Sequence, residues 1–298
     1  MYADRRILSI QSHVVHGYAG NRCAVLPLQV LGFEVDFINS VQFSNHTGYP
    51  HMTGTKVSAK ELGDLYEGLK VNNIAQYSHV LTGYVASVDF IRKLALIVGD
   101  LKSRNPNAIY LCDPVLGDNG EFYVPPELTE EYRKLLLPLC DILTPNQFEL
   151  GELTGMDVST ESNILKAIDK LHDMGVPKIT VSSADSSQGH YITCFGSCRK
   201  DRSRFKLNIP KLPVQLVGTG DLFAATTLAW NTLSGCFESA VKNAVNSVHV
   251  VIKDTMAHSA ELKESNPDLP ESACSELRLV QNLSTIMKPP ETIAAAKF

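Results

Sequence analysis

The chain has 298 residues, 44% hydrophobic and 20% charged, enough for a substantial buried core and ordinary for a globular protein. A net charge of −5 without a basic stripe argues against a nucleic-acid partner, and no apolar stretch is long enough for a membrane span. The first residues carry no signal-peptide pattern, and seven cysteines at scattered spacings suit a reduced, cytoplasmic protein better than a disulfide scaffold.

Short apolar runs alternate with helical patterns from the start of the chain. Strands are predicted at 7–10, 35–38, 79–81, 108–112, 142–143 and 178–181. Helices are predicted at 58–70, 88–103 and 161–174. The first opens on the capping box Ser58-x-x-Glu61 and carries Leu62, Leu65, Tyr66 and Leu69 on one face. Such alternation predicts an α/β fold with a mainly parallel central sheet covered by helices on both faces. Residues 190–195 and 204–209 read as a small antiparallel pair joined by a polar turn at 196–203. Helices follow at 221–232 and 237–258, then a Pro- and charge-rich link, a helix near 271–281 and a weakly specified tail. One domain over 1–298 is the simplest reading.

The densest chemistry is Val217-Gly218-Thr219-Gly220-Asp221, after a short apolar run and at the start of a helix. Glycines there leave backbone N–H groups free at the positive end of the helix, a ready anion site. Asp221 in such a site can take a proton from a hydroxyl attacking a bound phosphate. A turn glycine and a plain aspartate cap explain the same residues. Phe223 breaks the G-x-G-x-x-G dinucleotide fingerprint, and the chain has no Walker lysine motif.

Ligands of open α/β sheets bind at the carboxyl ends of the strands, and several further polar groups fall there. Ser12 follows the first strand, with Gly17 and Gly20 close behind, as a donor to a substrate polar group or, favoured on local grounds, as part of a plain strand-to-helix turn. His46 and Thr47 follow the second, in a loop suited to a polar heteroaromatic ring or simply hydrophilic. Tyr84 follows the third as an aromatic wall or a half-buried core residue. Asp113 and Asp118 follow the fourth, where a carboxylate after a buried run needs a partner or a metal. Asn146 and Glu149 follow the fifth, three apart at a helix start, as water-mediated Mg²⁺ ligands or as a cap.

In combination the strings NSVQFSNHTGY (39–49), CDPVLGD (112–118), TPNQFE (144–149) and VGTGDLFAA (217–225) resemble the pyridoxal kinases of the ribokinase-like superfamily. The resemblance runs from Ile7 to about Leu283. It implies ATP-dependent phosphorylation of the 5′-hydroxymethyl of pyridoxal, pyridoxine and pyridoxamine. It further implies Asp221 as general base, and Gly218, Thr219 and Gly220 as the anion hole. Ser12, His46, Thr47 and Tyr84 match vitamin contacts. Asp113, Asp118, Tyr123, Asn146, Glu149, Ser182 and Ser183 match positions around the nucleotide. Asp113, Asp118 and Glu149 match positions near Mg²⁺ or another divalent cation, with a monovalent K⁺ or Na⁺ beside it. A homodimer is implied as well. The loop after Asp118 is short for the family and lacks its tryptophan, and Ser182 stands where many members have threonine. Hydroxymethylpyrimidine kinases usually have cysteine in place of Asp221, and sugar kinases a Gly-Gly loop absent around 44–49. A non-catalytic vitamin-binding protein is the alternative from another class.

Overall fold

The computed structural model describes residues 5–185 and 189–298. Its strands are Arg6–Val14 (β1), Glu34–Phe43 (β2), Gly54–Lys56 (β3), His79–Thr82 (β4), Ile109–Cys112 (β5), Gly117–Asp118 (β6), Glu121–Phe122 (β7), Ile142–Leu143 (β8), Lys178–Ala184 (β9), Tyr191–Cys198 (β10), Ser203–Pro210 (β11) and Ala296–Lys297 (β12). Its helices are Asn21–Val30 (α1), Ala59–Val71 (α2), Val88–Arg104 (α3), Leu128–Glu131 (α4), Gln147–Thr154 (α5), Glu161–Asp173 (α6), Thr219–Ser234 (α7), Phe237–Ser265 (α8), Glu271–Cys274 (α9) and Leu283–Met287 (α10).

One sheet runs in the order β12-β11-β10-β9-β8-β5-β4-β1-β2-β3, and β6 and β7 form a separate ribbon. The strands from β2 to β9 pair in parallel, whereas β3 and the β9–β12 edge are antiparallel. The expected mainly parallel sheet is present, with its antiparallel pair continuing the same sheet rather than standing apart.

Side chains alternate across the central strands because the strand period is two. Leu8, Val80, Tyr110 and Leu143 pack under α2, α3 and α6 with Leu62, Leu94 and Ile168. Ile7, Leu81, Leu111 and Ile142 point the other way, onto Leu28 of α1, Leu222 and Leu228 of α7 and Val241 of α8. Both faces are thus dry, so these strands read as continuous apolar runs.

Several predicted boundaries move. β1 continues to Val14 and β9 to Ala184, so Ser12, Ser182 and Ser183 lie within strands rather than after them. β10 continues through Gly196 to Cys198. Gly196 pairs with Phe205, and a Cβ there would come within 2.1 Å of that ring. This glycine therefore makes room for an aromatic instead of marking a turn. The helix expected near 271–281 stops at Cys274, because the following segment leaves helical geometry to bury Leu277 and Leu279 in the core.

Candidate active site

The glycine turn and the start of α1 meet at the carboxyl edge of the sheet. Gly218 caps α7 at φ 90°, and a Cβ on it would sit 2.2 Å from the Tyr18 carbonyl oxygen. No other residue type fits there. Among the described residues no side chain caps the first turn of α7, so its leading amides have no cap there. Asp221 stands in that turn, and its Oδ2 accepts the Gly20 amide at 2.7 Å. Gly20 is itself tight, since a Cβ there would lie 2.1 Å from the Ser12 carbonyl oxygen. The Asp221 side chain is only partly covered, yet burial raises its pKa to about 6, with the Gly20 hydrogen bond opposing.

Asp113 follows β5 and is 6% exposed. Its Oδ2 lies 3.9 Å from the position of a Cβ at Gly220. Burial, then the charges of Glu149 and Asp221, push its carboxyl far above the usual range. Val115 sits at φ 43°, a backbone region that β-branched residues rarely enter. The chain bends sharply there between the two aspartates. Asp118 is half-buried in the β6–β7 ribbon, where the Asn119 amide donates to its Oδ1 at 2.8 Å.

Asn146 and Glu149 form a reciprocal capping box at the start of α5. Glu149 Oε2 accepts the Asn146 amide at 2.9 Å and Oε1 the Leu116 amide at 2.8 Å. The Asn146 side chain accepts the Glu149 amide at 2.9 Å and donates to the Gly117 carbonyl at 2.7 Å. Burial raises the Glu149 pKa against these hydrogen bonds. The box therefore joins α5 to the loop carrying Asp113 and Asp118. Among the described residues no three His, Cys, Asp or Glu side chains converge on a metal position. Asp113, Asp118 and Glu149 thus do not converge as a direct three-carboxylate cage in this structure. What suits a cation there is that buried Asp113 stands within the influence of two further carboxyls, Glu149 and Asp221.

The other candidates lie around this centre. Tyr123 is 58% exposed, and burial with the Asp118 and Glu149 charges raises its pKa. Ser182 is tied to the turn before α5 by its amide, which donates to the Pro145 carbonyl at 2.9 Å. Ser183 is half-buried beside it. Tyr84 is half-buried, and its carbonyl accepts the Ser40 hydroxyl at 2.8 Å. Thr219 donates its hydroxyl to the Leu216 carbonyl at 3.3 Å. Thr47 is exposed and makes no hydrogen bond among the described residues. His46 is buried and paired with Glu276, a contact with no signal in the local sequence because it spans 230 positions.

This fold, with a glycine turn opening a helix beside strand-end carboxyls, is the ribokinase-like arrangement. A sequence model of the family described as phosphomethylpyrimidine kinase matches residues 50–266. The chain is 45% identical to pyridoxal kinase of Sus scrofa, covering 98% of this chain and 95% of that protein. It is 42% identical to pyridoxal kinase of Homo sapiens, covering 99% of each. The solved pyridoxal kinase of Leishmania donovani in complex with ADP and pyridoxamine superposes with a TM-score of 0.91 at 32% identity, covering 99% of this chain and 100% of that one. The chain belongs to the pyridoxal kinase family.

Proposed function

We propose that this protein transfers the γ-phosphoryl of ATP to the 5′-hydroxymethyl of pyridoxal, and of pyridoxine and pyridoxamine, giving the 5′-phosphates. The observation that carries the reading is Asp221: a carboxyl of raised pKa in the first turn of α7, beside amides without a cap. Solved relatives bind ADP with pyridoxamine and with pyridoxine.

In this reading Asp221 accepts the hydroxyl proton, and the amides of Gly218, Thr219 and Gly220 receive the charge that develops on the transferred group. Phosphoryl transfer leaves the protein mainly positioning and electrostatics to supply. Ser12, His46, Thr47 and Tyr84 hold the vitamin. Asp118, Tyr123, Asn146, Ser182 and Ser183 surround the nucleotide. Asp113, Asp118 and Glu149 hold Mg²⁺ through its waters, since Mg²⁺ takes few protein oxygens. When bound, the cation neutralises the phosphates and the carboxyls around Asp113. A monovalent K⁺ or Na⁺ belongs to the same proposal, tested by activity in one salt against the other.

The whole chain acts as one domain in this reading. A cytoplasmic setting is proposed on seven free cysteines and on the absence, among the described residues, of a helix long and apolar enough to cross a membrane. A homodimer is proposed on a groove of about 420 Å³ lined by Phe37, Val57, Leu65 and Leu69, whose Phe37 and Leu65 are half exposed. A monomeric mass in solution would remove it.

The test is to incubate the protein with pyridoxal, ATP and Mg²⁺ and follow pyridoxal phosphate, with Asp221→Asn in parallel. Product from the wild type alone supports both reaction and base. ATP binding without product would point to another acceptor or to a non-catalytic binder.

A further inference from the structure

Glu276 lies in the link after α9, beyond every position the motifs single out. Its carboxylate, 13% exposed, gathers three donors. The Tyr18 amide reaches Oε2 at 2.9 Å, and the Tyr49 hydroxyl reaches Oε1 at 2.8 Å. His46 Nε2 lies 3.2 Å from the same Oε1. Gly17 leaves the carboxylate its space, since a Cβ there would fall 2.0 Å from Oε1.

These contacts determine the His46 tautomer. The Gly48 amide donates to Nδ1 at 3.1 Å, so Nδ1 carries no proton and Nε2–H donates to Glu276. With both nitrogens engaged, the imidazole has no polar atom left for a ligand. What remains is its ring, packed 4.8 Å from that of Tyr49. Burial raises the Glu276 pKa, but hydrogen bonds from His46, Tyr49 and Tyr18 outweigh it, and the carboxyl falls below its usual range.

The link is firmly held at its other end. Arg278 Nε donates to Asp254 Oδ2 at 2.8 Å and its amide to Thr255 Oγ1 at 3.1 Å, both on α8. Leu277 is 1% exposed, with Cδ1 only 3.2 Å from where a Cβ on Gly218 would be. Ser272 donates its hydroxyl to the Gly48 carbonyl. One short segment thus touches the loop of His46, the turn of Tyr18 and the cap of α7.

We propose that Glu276 is a positioning residue: acting through His46 and Tyr49, it holds the 44–49 loop so that the imidazole presents a fixed wall to the substrate ring. The identity of that ring rests on the vitamin kinase reading above. Glutamine at this position keeps the size but offers one acceptor oxygen to three donors, and its own N–H₂ would face one of them.

The experiment combines Glu276→Gln with the milder Tyr49→Phe, which removes a single donor. In Glu276→Gln, amide hydrogen exchange in the free protein should rise in peptides covering 44–53 and the Tyr18 turn that Glu276 also binds, and stay unchanged in the central sheet. The KM for pyridoxal should rise about tenfold or more, while the KM for ATP and the melting temperature hold. Tyr49→Phe should move the same quantities less. Adding Tyr49→Phe to Glu276→Gln should then change little, because both act through one contact. Unchanged exchange in 44–53 would overturn the proposal. So would a lowered melting temperature with both KM values raised in parallel, which marks a purely structural role. If the wild type does not phosphorylate pyridoxal, the vitamin reading fails separately, and the exchange measurement still decides whether Glu276 holds the loop.

Discussion

Asp221 is pulled two ways, by burial that favours its neutral form and by a Gly20 amide that favours its charge. Burial prevails and leaves the pKa near about 6, close to where a base works best at neutral pH. Asp221→Ala should lower kcat by about 10²–10⁴-fold while ATP still binds, checked by steady-state turnover and nucleotide titration. A variant near wild-type turnover would remove Asp221 as the base. Because the base must be ionised, kcat/KM should fall as pH drops through about 6. A profile flat through that region would show that another group takes the proton.

At the level of elements, the site depends on how two helices begin. α5 begins with a reciprocal cap whose members also bind the Leu116 amide and the Gly117 carbonyl. Asn146→Ala should therefore cost about 1 kcal/mol of stability as a lost cap. It should also raise the KM for ATP, since the same amide steadies the loop of Asp113. Denaturant titration and nucleotide kinetics separate the two effects. α7 begins at a glycine that nothing else can replace. Gly218→Ala adds positive-φ strain and a clash with the Tyr18 carbonyl, a loss of roughly 1–3 kcal/mol. Full activity and stability in that variant would show that the turn relaxes more easily than its packing implies.

Across the molecule, the cost of the site is acidic charge held in a dry edge of the sheet. Asp113, Glu149 and Asp221 all have pKa values raised chiefly by burial. The unfolded chain releases these protons near pH 4, whereas the folded protein keeps them to higher pH. Across that window the folded state binds more protons, so stability falls as pH rises, through about 6 in the case of Asp221. The ligand-free protein should melt at lower temperature at neutral than at mildly acidic pH on account of these groups. Asp113→Asn should flatten that dependence and raise the neutral melting temperature while activity is lost. Mg²⁺ with ATP should stabilise the wild type more than Asp113→Asn, as thermal melts with and without ligand would reveal.

The parallel sheet was readable from the order of residues alone, because strands buried on both faces must be continuous apolar runs, and so were the α5 capping box and the glycine turn, because both are local. Asp221, Asp113, Asn146 and Glu149 were legible for the same reason: their spacing within one turn or strand end carries the signal. Tertiary structure decided the rest. Gly196 looked like a turn because glycine is common there, and only its cross-strand neighbour Phe205 shows that it lies inside β10. The segment 275–279 kept a helical pattern in sequence, but burial of Leu277 and Leu279 outweighed local helix propensity. Glu276 gave no signal because its partners Tyr18, His46 and Tyr49 lie more than two hundred residues away. A charge that must find its donors across the fold is invisible until the fold exists.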